Sequence, residues 1–243
     1  MDTRLQNEIE HGKYLASHGA GEIWGWETSA GKVRWQRRVK MLVSNLRPDM
    51  RVLEVGCGAG YFTQQLATTG AHIVAIDISP ELLAQAREKV RASNVTFCEE
   101  NAYATTFAAE SFDAVVGSSV LHHLDLERGL AELHRVLKPG ATVRFTEPNM
   151  MNPQIAVQKN VPSVKRRIGD SPDETAFFRW RLRRRLTALG FDRVEIVPFD
   201  FLHPSIPAPL ISLVGKLGAV AERVPLVREL SGSLHITARR ADR

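Results

Sequence analysis

Val52-Leu53-Glu54-Val55-Gly56-Cys57-Gly58-Ala59-Gly60 is the stretch that decides the fold. Strand-type apolar residues end in a turn with glycine at every second place. Glycine lets the backbone approach a ligand where a Cβ would clash. A second apolar run, Ile73-Val74-Ala75-Ile76, ends in Asp77, seventeen residues past Gly60. A strand, a glycine turn, a helix and a second strand closing on a carboxylate form a nucleoside pocket, because that carboxylate accepts hydrogen bonds from ribose hydroxyls.

The spacing narrows the choice of nucleoside. A dinucleotide fingerprint places its third glycine three residues after the second, and here that place holds Tyr61. Glu54, two residues before Gly56, would repel a pyrophosphate but suits the ammonium of an amino acid. The segment resembles motif I of the class I S-adenosylmethionine (SAM)-dependent methyltransferases. The resemblance continues through Phe112-Asp113-Ala114-Val115-Val116-Gly117-Ser118-Ser119-Val120-Leu121-His122-His123-Leu124 and Leu137-Lys138-Pro139-Gly140-Ala141. It covers residues 50–149 well and the rest in outline. It implies an α/β, Rossmann-like, doubly wound and mostly parallel seven-stranded sheet with an antiparallel last strand and helices on both faces.

Working outward, strands are expected at 51–55, 72–76, 95–99, 112–116, 141–146, 192–197 and 234–239. Helices are expected at 32–45, 60–69, 126–137 and from Ser79-Pro80, where Ser79 is the N-cap. Strands alternating with helices give a parallel sheet covered on both faces. Residues 150–170 read as an active-site insertion or a flexible loop. Ser171-x-x-Glu174 is a capping box and opens a helix to about 189 over Phe178, Leu182, Leu186 and Leu189. Residues 207–230 carry an apolar face of Leu210, Leu213, Val214, Leu217, Ala221 and Val224, read first as a core or pocket-lining helix. A dimer contact or a membrane surface are its alternatives. The chain divides into an N-terminal helical lid region, 1–45, and a SAM-binding domain, 46–243, with substrate-pocket insertions near 150–175 and 200–230.

In the resemblance, Gly56, Cys57, Gly58 and Gly60 shape the turn around the cofactor. Glu54 organises its ammonium, Asp77 takes the ribose hydroxyls and Ile78 packs on adenine. Asn101-Ala102 stands where the family often has Asp-Ala. Ser118 stands where a backbone carbonyl meets the ammonium. Trp26, with Trp24, is a candidate lid over the sulfonium through cation–π attraction, and Arg38 a candidate clamp for the carboxylate. Methyl transfer needs an aligned nucleophile and a proton acceptor. The candidates are His123, His122 and Glu147, since imidazole titrates near neutrality and Glu147 ends a strand at the pocket mouth. Each also has a plain structural alternative, as a packing histidine or a satisfied acid. Adjacent histidines diverge and no acidic cluster supports them, so no metal is expected.

Composition is that of a soluble globular protein, with 44% hydrophobic and 24% charged residues. Two cysteines, Cys57 and Cys98, give no disulfide framework, so a reducing, cytoplasmic location is expected. The N-terminus has no apolar signal region, and no apolar run is long enough to span a membrane. The net charge of +5 is uneven: residues 159–193 hold ten Lys/Arg against four acids. The run Arg179, Arg181, Arg183, Arg184, Arg185 reads as a solvated helix face, with an anionic-substrate reader as alternative. No aromatic platforms alternate with these charges, so nucleic acid is not expected. The expected activity is SAM-dependent methylation of a hydroxyl or amine on a small, partly apolar molecule, with S-adenosylhomocysteine (SAH) as product. Lipid-linked or phosphorylated sugars are the alternative acceptors, and a non-catalytic SAM-binding regulator is the alternative class. A homodimer is an open expectation.

Overall fold

The computed structural model describes residues 2–242; Met1 and Arg243, which end the expected regions 1–45 and 46–243, lie outside them. In chain order the elements are α1 (Thr3–His18), α2 (Ala20–Ile23), α3 (Ser29–Val43), β1 (Arg51–Val55), α4 (Thr63–Ala67), β2 (His72–Asp77), α5 (Pro80–Lys89), β3 (Val95–Glu99) and β4 (Phe112–Ser118). There follow α6 (Leu126–Val136), β5 (Leu137–Pro148), α7 (Pro153–Asn160), α8 (Pro162–Ile168), α9 (Arg179–Ala188), β6 (Phe191–Phe199), α10 (Ile211–Ala221), α11 (Pro225–Arg228) and β7 (Ser233–Arg240).

The seven strands form one sheet in the order β3-β2-β1-β4-β5-β7-β6. The first five are parallel, and β7 runs antiparallel to both β5 and β6. This is the doubly wound arrangement that the resemblance implies. Its direction of winding reverses between β1 and β4, which opens a crevice outside their carboxyl ends.

Each face has its own core. Leu130, Leu133 and Val136 of α6, with Leu182 and Leu186 of α9, pack with Leu53, Val115 and Val143. Leu42 of α3, Leu66 of α4 and Leu83 of α5 pack with Val52, Ile73 and Ala114 on the other face. Complete burial of side chains of this size contributes roughly 1.5–3 kcal/mol each. Ser79 accepts a hydrogen bond from the Leu82 amide at 3.2 Å and so caps α5, as its sequence requires.

Four expectations change. The helix at 60–69 shortens to α4. Residues 150–170 fold into α7 and α8, each opened by a proline at its first turn. The helix expected from Ser171 begins only at Arg179, because Phe177 pairs with Asn149 and the Thr175 amide donates to the His122 carbonyl, which keeps the intervening chain extended. The apolar face of 207–224 turns out to solvent rather than in: Leu213 is 56% and Leu217 60% exposed. The inner side of α10 holds Gly218 against Phe201 instead. Arg181, Arg183, Arg184 and Arg185 are exposed above the buried Leu182 and Leu186.

Candidate active site

The cavity at the β1–β4 crevice has a volume of about 460 Å³. Gly56 and Gly58 both take left-handed backbone angles, φ +66° and +52°. A Cβ on Gly56 would collide with Val120, and one on Gly58 would meet the Trp24 ring at 2.9 Å. The turn therefore has to be glycine for its conformation and for its close neighbours. Gly60 is also left-handed, φ +78°, and a Cβ there would press on Ala86 of α5 at 3.2 Å. It does not line the cavity.

Asp77 stands at the end of β2 with its two oxygens accepting from the Gly58 amide at 2.8 Å and the Ser79 amide at 3.0 Å. Burial raises its pKa from the ordinary carboxylate value, against those hydrogen bonds. Ile78, Cys57, Ala102, Asn101 and Ser118 line the same cavity. Asn101 accepts from the Tyr103 amide at 2.9 Å, and the Ser118 hydroxyl pairs with Thr146 at 2.8 Å. Glu54 lies behind the wall. It is 3% exposed, its Oε2 has no hydrogen-bond partner, and burial pushes its pKa up to about 8.

Arg38 reaches the cavity from α3 and is itself buried. It shares Asp200 with Arg34, at 2.8 and 2.9 Å, and donates to the Ser233 hydroxyl at 2.6 Å. Burial lowers its pKa to about 10. Two guanidiniums against one carboxylate leave this wall positive. Both also lie over the Trp26 ring, at 5.4 and 5.7 Å. Trp26 itself lines the cavity.

At the other end, Glu147 accepts from the Val120 and Leu121 amides at 2.9 and 2.8 Å and pairs with His122 Nδ1 at 2.7 Å. It pins the short turn that presents both histidines. His122 is buried; burial alone would lower its pKa, but its hydrogen bonds to Glu147 and Glu174 raise it to about 9. It is an imidazolium at neutral pH and so a donor. His123 Nδ1 is 2.7 Å from Glu8 of α1, and no hydrogen bond engages its Nε2 among the described residues.

Four acids and bases here, Glu8, His11, Lys159 and Glu174, were not assigned to the site in the sequence. Glu8 and His11 lie on the inner face of α1, with Leu5, Gly12 and Leu15, at helical spacing. Glu174, read as a cap, points at His122, His123 and Lys159, which hold its carboxyl well below the usual range despite burial. His11, His123 and Glu174 bring ligand-type atoms within 4.8 Å of one another, an arrangement the sequence reading did not foresee. Lys159 already neutralises Glu174 there, as a cation would.

A glycine-lined turn, a buried ribose-type acceptor, a positive wall and a buried carboxyl with one unpartnered oxygen fit SAM, with room for an acceptor toward the histidines. The comparisons agree. Residues 53–145 match the family model described as Methyltransferase domain. A demethylmenaquinone methyltransferase of Mycobacterium sp. (strain KMS) is 30% identical over 186 residues, which cover 69% of this chain and 78% of that protein. Its counterpart in Chlorobaculum tepidum is 39% identical over 61% of this chain and 57% of the other. Of several curated relatives the chain spans only 39% to 57% of the length. Among solved structures, the N-methyltransferase NodS of Bradyrhizobium japonicum, bound to SAH, superposes with a TM-score of 0.65 at 18% identity, over 96% of this chain and 98% of that one. Sequence motifs, sheet order and these matches together make the chain a member of the class I SAM-dependent methyltransferases.

Proposed function

We propose that the protein methylates a hydroxyl or amine of a small molecule held between the glycine turn and the His122–His123 turn. The observation that carries this reading is one cavity that joins Gly56, Gly58 and Asp77 to His123 and Glu8. When bound, SAM supplies an electrophilic methyl on a good leaving group. The chain's own residues then have to orient two ligands, exclude water and remove a proton.

Asp77 orients ribose hydroxyls, while its two backbone donors fix its rotamer. Ile78 and Ala102 give adenine an apolar surface, beside Asn101. The surplus charge of Arg34 and Arg38 faces the carboxylate of the amino-acid tail, and the buried acid Glu54 answers its ammonium from behind the turn. His123 is the proton acceptor. Glu8 engages its Nδ1, which leaves Nε2 as the ring nitrogen for the acceptor. Glu147 and His122 act as positioning residues for that turn. Trp24 covers the glycine turn and α1 covers the histidines, so residues 1–45 work as a lid. Relatives named for demethylmenaquinone support a small-molecule acceptor.

Two measurements test the reading. Titration with SAH should give binding that Asp77→Ala weakens at least about tenfold, the equivalent of about 1.4 kcal/mol. Incubation of methyl-labelled SAM with a protein-free cell extract should move label into extractable small molecules. His123→Asn should stop that transfer while SAH affinity stays within about twofold. Unchanged transfer by His123→Asn would remove that residue from the mechanism. Label found only on macromolecules of a whole extract would overturn the small-molecule reading.

A further inference from the structure

Between β6 and β7 the chain shows its apolar side to solvent. Leu210, Leu213, Leu217, Val220 and Val224 recur at helical spacing and are each 44–60% exposed. Leu226 is 84% exposed, and Val227 and Leu230 continue the surface. Soluble monomers rarely expose a contiguous patch of this kind unless it meets something.

The charges around it select the partner. Lys216 of α10 and Arg223, just past its end, are exposed, flank the stripe, and make no ion pair among the described residues. The two acids of residues 207–230 are both turned away. Glu222 is held by both terminal nitrogens of Arg37, at 2.7 and 2.5 Å, and Glu229 accepts from Arg179 at 2.8 Å. The patch is thus leucine-rich with a purely cationic margin. A second copy docked through the same patch would bring its own Lys216 and Arg223 and no free acid from residues 207–230 to pair them. A surface of anionic headgroups over acyl chains satisfies both parts at once.

The patch also adjoins the cavity. The Leu230 carbonyl accepts from Asn152, the N-cap of α7, at 2.8 Å. Ile155 of α7 and Gly232, two residues beyond Leu230, line the cavity.

We propose that α10 and α11 seat the protein on an anionic lipid bilayer, with the leucine stripe in the acyl boundary and Lys216 and Arg223 at the lipid phosphates. No helix among the described residues is long and apolar enough to cross a membrane, so the contact is peripheral. The proposal stands apart from the identity of the methyl acceptor.

The test is flotation of the full chain with phosphatidylcholine vesicles that contain or lack phosphatidylglycerol. Binding should be stronger to the anionic vesicles. Leu217→Glu with Leu226→Glu should weaken it at least about tenfold, and Lys216→Glu with Arg223→Glu should remove the preference for anionic lipid. All four side chains are exposed, so circular dichroism and SAH affinity should match the parent protein. Absence of parent binding to any vesicle would overturn the proposal, as would binding that the variants leave unchanged. A dimer in light scattering that Leu217→Glu dissolves, without vesicle binding, would reassign the face to a second copy. Binding lost on adding inorganic phosphate alone would reduce it to simple anion attraction.

Discussion

His122 carries an unusual load for one side chain. It is buried, pairs with Glu147 at 2.7 Å, and holds its proton up to about 9 against an ordinary value of 6.5. A raised folded pKa means that the folded state binds the proton more tightly. The resulting stabilisation is complete below about pH 6.5 and is lost as pH rises through about 9. Urea unfolding at these two pH values should differ by about 1–3 kcal/mol more in the parent than in His122→Gln. Glu54 adds a slope of the same sign between 4.5 and about 8, which Glu54→Gln should remove. A slope in either variant equal to that of the parent would locate that titration elsewhere. The sequence displayed His122 and His123 because they follow a strand whose end had to open on the pocket. It hid Glu8 because that partner is 115 residues from His123. Only the docking of α1 brings the two together, and no spacing rule reports on docking.

The element that does this, α1, is held by polar ties at several points. Arg4 donates to the carbonyls of His123 and Leu124 at 3.1 and 2.9 Å, and Asn7 donates to Asp173 at 2.7 Å. Gly12 packs so close to α5 that a Cβ there would meet the Ser79 Cβ at 2.6 Å. Gly12→Leu should therefore lift α1 from its seat, at about 1–3 kcal/mol in urea unfolding, and speed protease cleavage within residues 3–18. Unaltered stability and cleavage would mean that α1 is not seated in solution as described. Elements with a regular core stripe, such as α6 with Leu130 and Leu133, were legible from periodicity alone. The Ser171-x-x-Glu174 box misled, although half of it exists: the Ser171 amide does donate to Glu174 at 2.7 Å. The Phe177–Asn149 pairing overrides the local signal, and the acid spends its second oxygen on His122 and Lys159. Likewise the stripe of α10 had the period of a buried helix. Period reports that one face is apolar; it does not report which way the face points.

On the scale of the whole molecule, the sheet reverses its winding where the ligand binds. β1 and β4 part there, β2 delivers Asp77 from one side, and β5 delivers Glu147 from the other. A cofactor in that cavity, which is lined from both halves of the sheet and from α1, would be sensed by the global unfolding equilibrium. A ligand that binds only the folded state stabilises it by about 2.7 kcal/mol at one hundred times its Kd. For a chain of this length each kcal/mol is worth roughly 2–4 °C in Tm. SAH at that concentration should therefore raise Tm by roughly 5–10 °C in a thermal scan. Asp77→Ala at the same concentration should recover little of the shift. NADH should give none, because the turn puts Tyr61 where a dinucleotide site needs its third glycine, and Glu54 sets a carboxyl behind the place of a pyrophosphate. A shift from NADH equal to that from SAH would mean that the crevice discriminates only by the adenosine that the two ligands share. The discrimination would then have to come from α1 and α3 closing over the remainder, through Arg34 and Arg38.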